Sequence, residues 1–308
     1  MLILSIPSYE ALAARIAAEL GLVADPAAVE RKSFSDGETY QRFAVDVRDQ
    51  DVVLVAGTPT EQDTLLAFDL ACGASRYGAR SLTWVLPYFG CQTMERAVRP
   101  GEVVTAKTRA RLISAVPPTP QGTRVLLLDL HTPGIPHYFA DSIHAFHLYA
   151  KHEVEAAARA FGGEDFVLAA PDAGRAKWVQ SLANDLGVEV AFVYKRRHAD
   201  GAVEVTGVDA RVAGRTVVIY DDMIRSGGTL LNAARAYRDA GAARCYAVTS
   251  HLVVPGDAAR ELLACGLLDG VAGTDSHPRS ELARAAGCEV RSVAGVFAEW
   301  LRGRPGAG

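Results

Sequence analysis

Short runs of Val, Ile and Leu recur along the chain. Between them lie Ala-rich stretches in which apolar residues return every third or fourth position. A continuous apolar run bounded by turn residues predicts a strand buried on both faces, and the 3.6-residue period predicts a helix that packs one face against it. Strands are expected over residues 2–6, 51–56, 81–86, 124–130, 165–169, 188–194, 216–220 and 245–249. Helices are expected over residues 9–20, 62–74, 103–115, 152–161, 175–186 and 230–240. Strand and helix in alternation specify an α/β protein with mainly parallel sheets.

At 308 residues the chain is long enough for two domains of roughly 150 residues each. No low-complexity linker divides it. The weakest place is residues 144–149, so the expected domains are 1–146 and 147–308, each with a sheet of about four or five strands. Residues 305–308 are small, lack an apolar anchor and are expected to fray. The apolar runs fall far short of the roughly 20 residues that a membrane-spanning helix needs. The opening segment, broken by Pro7 and followed by Glu10 without a basic flank, reads as a first strand and not as a signal peptide.

Composition narrows the function classes. With 49% hydrophobic and 22% charged residues, the chain can bury a real core and is neither a disordered tail nor a small disulfide scaffold. The 32 basic and 36 acidic residues leave a net charge of −4, so no global cationic field favours nucleic acid or an anionic membrane as partner. Five cysteines (Cys72, Cys91, Cys245, Cys265, Cys288) contain no Cys-x-x-Cys pair and suit buried thiols in a reducing cytoplasm. Lys supplies only five of the basic residues, which draws notice to any Lys in a candidate site.

The most specific segment is Val217-Val-Ile-Tyr-Asp-Asp-Met-Ile-Arg-Ser-Gly-Gly-Thr229. A buried strand runs into two acids, and Ser226, Gly227, Gly228 and Thr229 open a helix. Glycines there let the backbone approach an anion, and first-turn amides with the Ser and Thr hydroxyls donate to a phosphate. Asp221 and Asp222 suit sugar hydroxyls or a hydrated magnesium ion instead. A capped strand–helix turn is the plainer alternative, but the ordered combination favours a sugar phosphate. No Gly-x4-Gly-Lys-Ser/Thr loop and no Gly-x-Gly-x-x-Gly run is present, which weakens ordinary NTPase and dinucleotide readings.

This segment resembles the phosphoribosyl signature of type I phosphoribosyltransferases and of ribose-phosphate diphosphokinases. Further segments resemble the diphosphokinases in family order over most of the chain: Phe34-Ser-Asp-Gly-Glu38, Pro87-Tyr-Phe-Gly90, Glu95-Arg96, Asp129-Leu-His131, Pro171-Asp-Ala-Gly174, and Tyr194-Lys-Arg-Arg197 leading into Ala199-Asp-Gly-Ala202. A single-domain phosphoribosyltransferase would lack the first half. The resemblance implies two tandem type I phosphoribosyltransferase-like domains, the first on the nucleotide side and the second carrying the ribose 5-phosphate loop. It implies that the β,γ-diphosphoryl group of ATP moves to the 1-hydroxyl of ribose 5-phosphate, giving PRPP and AMP.

The implied roles follow residue by residue. Phe34, Asp36 and Glu38 would meet the adenine base, and Arg96 the triphosphate. Lys195 and Arg197, on a closing arm, would stabilise developing charge, with His131 joining them at the reacting centre. His131 and Asp172 would hold Mg2+. Asp221 and Asp222 would take the ribose hydroxyls, and Arg225, Ser226, Gly227, Gly228 and Thr229 the 5-phosphate. Homo-oligomers, dimers to hexamers, are implied, with the Phe34–Glu38 loop completing a neighbour's site.

The chain also departs from the family pattern. Cys91-Gln-Thr-Met-Glu-Arg96 stands where members carry Tyr-Ala-Arg-Gln-Asp-Arg, so Thr93 and Met94 replace an Arg and a Gln that serve ATP. Arg225 stands where many bacterial members have an acid, and Arg175 where they have a second Gly. A diphosphokinase with an altered donor or acceptor, or a non-catalytic regulatory paralogue, remains an alternative to ATP-driven PRPP synthesis.

Overall fold

The computed structural model describes residues 1–197, 203–209 and 212–303. The segment Ala199-Asp-Gly-Ala202 and the end at 305–308 lie outside the described residues. The chain forms two compact units, Met1–Tyr149 with Val293–Gly308, and Ala150–Ser292.

The first unit is built on a parallel sheet of five strands: β1 (Leu2–Ser5), β4 (Asp51–Val55), β5 (Ser81–Leu86), β6 (Thr123–Leu128) and β7 (Ile143–Leu148), side by side in that order. Between β1 and β4, the strands β2 (Val29–Ser33) and β3 (Thr39–Phe43) form a separate antiparallel hairpin. The central strands are mostly apolar because helices cover both faces, and β5 is buried at all six positions. Trp84 on β5 is the largest fully buried side chain, and its indole donates to the Ala56 carbonyl at 2.7 Å. Around the sheet lie α1 (Glu10–Glu19), α2 (Glu61–Arg76) and α3 (Thr105–Ile113).

The second unit has a seven-stranded sheet: β8 (Val167–Ala170), β9 (Glu189–Arg197), β10 (Val203–Asp209), β11 (Thr216–Ile224), β12 (Arg244–Leu252), β13 (Gly270–Thr274) and β14 (Glu289–Arg291). Their spatial order is β10-β9-β8-β11-β12-β13-β14, antiparallel only at β9–β10. It is wider than the four or five strands expected, because the short Gly-containing β13, the three-residue β14 and the polar β10 carry no strong apolar run. From β8 the chain goes to β9 on one side, while β11 lies on the other. The gap between the ends of β8 and β11 is therefore a topological switch point, where open α/β sheets take ligands. Helices α4 (Lys151–Gly162), α5 (Ala176–Leu186), α6 (Gly228–Asp239), α7 (Gly256–Ala264) and α8 (Ser280–Ala285) surround this sheet.

The stretch 144–149, expected as a boundary, falls mostly within strand β7, which pairs in parallel with β6 from Thr123↔Ile143 to Leu128↔Leu148. At the edge of the sheet it carries two His residues and is less buried than the central strands. The last helix, α9 (Ala294–Leu301), returns to the first unit, where it packs on α1. Phe297 and Ala298 are fully buried, Trp300 lies 5.1 Å from the Phe146 ring, and Arg302 bonds the Glu19 carbonyl. No helix among the described residues is long and apolar enough to cross a membrane.

Removing the Phe297 ring leaves a cavity that the surrounding elements cannot close. Phe297→Ala is expected to lower the unfolding free energy by about 3–5 kcal/mol, measured by denaturant titration.

Candidate active site

The candidate site of the second unit sits at the switch point. Strand β11 stays apolar from Val217 to Tyr220, then presents Asp221 and Asp222, and the chain turns through Arg225, Ser226 and Gly227 into α6. The strand runs to Ile224, four residues past the expected end, because Asp221 and Met223 are still paired with Thr249 and His251 on β12. The acids are thus held by ladder hydrogen bonds. Gly227 adopts φ +78°, a conformation that favours glycine, and a Cβ there would stand 2.4 Å from the Leu262 side chain. No side chain caps α6, while Gly228 and Thr229 are exposed, so first-turn amides face outward where an anion is favoured. Arg225 and Ser226 are exposed beside them.

Asp222 is buried, with 6% of its side chain accessible, and faces Arg175 at 2.5 Å. The same guanidinium lies 3.8 Å from Asp221. Arg175 is the N-cap of α5, in the loop that leaves β8. Asp172, in that loop, accepts the Gly174 amide at 2.9 Å and adds negative charge near Asp221. Burial first, then the adjacent Asp222 charge, push the Asp221 carboxyl up to about 8 against the pull of Arg175. Beneath the acids, Tyr220 stacks on Trp178 with ring centroids 4.1 Å apart and meets the Ser250 hydroxyl at 2.9 Å.

A buried polar network continues behind this site. Ser276 lies 2.7 Å from His251 Nδ1, and Thr274 donates to the Ser250 carbonyl at 2.6 Å. His277 Nδ1 accepts the Arg279 amide at 3.1 Å. Burial, assisted by His251 and Arg279, lowers the His277 imidazole to about 3, so it stays neutral. The sequence reading missed this network. Its Ser, Thr and His residues carry no motif until β12 and β13 are seen as neighbours.

In the first unit, β6 is followed by Asp129, buried and at φ +38°, a strained value for a residue with a side chain. The loop that follows is fixed by two side chains. His147 Nε2 accepts the Leu130 amide at 2.9 Å, and the Gln92 carbonyl accepts the His131 amide at 2.8 Å. Gln92 is fully buried, and its Nε2 has no hydrogen-bond partner among the described residues. Neither His147 nor Gln92 was assigned a role from sequence. Thr58 braces the preceding loop by accepting the Gly90 amide at 2.8 Å.

The remaining sequence-derived positions lie on other elements. Phe34 to Glu38 form the tip of the β2–β3 hairpin, where Asp36 accepts the Glu38 amide at 3.0 Å and the Phe34 ring is 51% exposed. Arg96 is also exposed and pairs with Glu95 at 3.4 Å. Lys195 and Arg197 lie on β9, opposite Val205 and Val203 of β10. No group of three or more metal-ligating side chains occurs among the described residues.

Residues 1–116 match the family model for the N-terminal domain of ribose phosphate pyrophosphokinase, and residues 141–262 match the phosphoribosyl transferase domain. A ribose-phosphate pyrophosphokinase of Methanopyrus kandleri is 34% identical over 282 residues, spanning 90% of this chain and 93% of the relative. That of Vibrio vulnificus is 35% identical over 296 residues, spanning 94% and 91%. The crystal structure of phosphoribosylpyrophosphate synthetase from Mycobacterium smegmatis superposes with a TM-score of 0.85 at 27% identity, covering 98% of this chain and 97% of that one.

Two outcomes follow from this geometry. Gly227→Ala is expected to lower stability by about 1–3 kcal/mol through its φ and its collision with Leu262, and to weaken binding of inorganic phosphate or a sugar phosphate measured calorimetrically. His277 is neutral in the fold, whereas the unfolded chain takes up a proton below about pH 6.5. Stability is therefore lost as pH falls from about 6.5 towards 3. The unfolding midpoint of His277→Gln should decline less over that window than that of the unaltered protein.

Proposed function

The chain belongs to the ribose-phosphate pyrophosphokinase family, and from that premise we propose how its own residues transfer a diphosphoryl group from ATP to ribose 5-phosphate. The observation that carries the reading is the end of β11. There a carboxylate pair for sugar hydroxyls stands one short loop before a helix N-terminus whose amides no side chain caps.

Asp221 and Asp222 accept hydrogen bonds from the ribose hydroxyls. The amides and hydroxyls from Ser226 to Thr229 hold the 5-phosphate, with Arg225 beside them. The 1-hydroxyl oxygen then attacks the β-phosphorus of ATP. Its bond to that phosphorus forms as the bond to the bridging oxygen of the α-phosphate breaks. AMP leaves, and the hydroxyl proton passes to solvent. Transfer of this kind depends on positioning and on cations placed where oxygen charge develops. Lys195 and Arg197 supply that charge.

Mg2+ suits the donors on offer. It keeps most of its water and substrate phosphate oxygens and takes only one or two protein ligands, so it needs no dedicated cage. Asp172, fixed by the Gly174 amide, provides a hard oxygen donor. When bound, the ion neutralises diphosphate charge.

On the donor side, Phe34 offers a ring for the adenine. Asp36 still has a second carboxylate oxygen for the exocyclic amine, and Glu38 a further acceptor. Arg96 reaches for the triphosphate, where Thr93 and Met94 bring no charge. The exposed hairpin tip suits completion of the site by a second copy of the chain.

The test is release of AMP from ATP that requires ribose 5-phosphate and Mg2+ and is matched by PRPP. Lys195→Ala should reduce this turnover about a thousandfold or more, as loss of a transition-state cation does. Ribose 5-phosphate binding should change by less than about threefold. Equal loss of binding and turnover would place Lys195 in ground-state binding and overturn its assignment.

A further inference from the structure

Without substrate, the acids proposed to hold the ribose are already paired with Arg175. Its Nη2 stands 2.5 Å from the buried Asp222 and its Nε 3.8 Å from Asp221. Only 15% of the Arg175 side chain is accessible, so this is a built contact and not a surface encounter. The residue sits three positions after Asp172, in the loop leaving β8, and the resemblance puts a glycine there. Carboxylate oxygens engaged by a guanidinium are poor acceptors for a sugar diol. Arg175 and the ribose hydroxyls therefore compete for the same atoms.

Resting on the function proposed above, we propose that Arg175 is a switching cation. It covers Asp221 and Asp222 in the free protein, is displaced when ribose 5-phosphate docks, and then contacts the diphosphoryl group of the donor. The guanidinium suits both positions, because its planar fork pairs with two oxygens of a carboxylate or of a phosphate. Its place at the head of α5, in the loop that also carries Asp172, keeps it close to both partners while only its side chain moves. The exchange couples the substrates: a docked sugar frees a positive charge for the donor phosphates. It also supplies the donor side with a cation in a chain where Thr93 and Met94 have replaced an Arg and a Gln. Exchange of this kind needs a differential affinity for the two positions, which the arriving phosphate charge provides.

The test compares Arg175→Gly and Arg175→Gln with the unaltered protein, each first shown to be folded by circular dichroism and thermal unfolding. Binding of ribose 5-phosphate with Mg2+ is read by calorimetry without nucleotide, and turnover is read with ATP. Both variants uncover the acids, so ribose 5-phosphate should bind about three- to tenfold tighter, while kcat falls about tenfold or more. Two variants guard against one failing to fold, since Gln keeps the length and polarity of the side chain. Unchanged or weaker sugar binding in folded variants, or unchanged turnover, would overturn the proposal. If the unaltered protein binds no ribose 5-phosphate at all, it is the functional reading that fails, and the two failures are thereby distinguished.

Discussion

Two adjacent carboxylates at the end of a buried strand create the electrostatic problem around which the second unit is arranged. Taking them out of water is costly unless hydrogen bonds and opposite charge compensate. Asp222 answers with the Arg175 ion pair, while burial and the adjacent Asp222 charge raise the Asp221 carboxyl. The ladder to β12 fixes where the pair stands. The same strand end delivers the chain, through Gly227, to a helix whose amides face outward. Apolar strand, charged tip and uncapped helix are one device. A ligand that brings hydroxyls for the acids and a phosphate for the helix matches all of its parts.

The first unit meets a related demand with neutral groups. The loop after β6 is fixed by donating backbone amides to His147 and Gln92. Gln92 belongs to the stretch that departs from the family pattern. The departure at Thr93 and Met94 thus sits beside a residue that braces the opposite loop. Gln92 itself stands where the family pattern has Ala, so its side-chain tie to the His131 amide belongs to the departure.

Much of the fold was legible in the sequence, because long apolar runs and Ala-rich amphipathic stretches bury themselves in only a few ways. Strands β4, β5, β6 and β11 and helices α1, α2 and α5 follow directly from that patterning. The elements that escaped it are those whose order comes from neighbours. Strand β7 lacks a continuous apolar run because it is a sheet edge. Strand β14 is three residues long, and α9 is defined by its packing on the first unit. The acids and the turn into α6 were readable since they are contiguous in the sequence. Arg175 could be noticed in the sequence only as a departure, because the carboxylates it pairs with lie more than forty residues away in sequence, on the neighbouring strand β11. The His251–Ser276–His277 network was invisible for the same reason.

The central claim is that both terminal phosphates of the nucleotide move as a unit to the sugar. The most direct measurement uses ATP carrying distinguishable isotopes at the β- and γ-phosphorus, incubated with the protein, Mg2+ and ribose 5-phosphate. The account predicts that both labels appear in the sugar product in equal amounts and that AMP carries neither. Transfer of the γ label alone with formation of ADP, or release of both labels as free diphosphate without a labelled sugar, would contradict it.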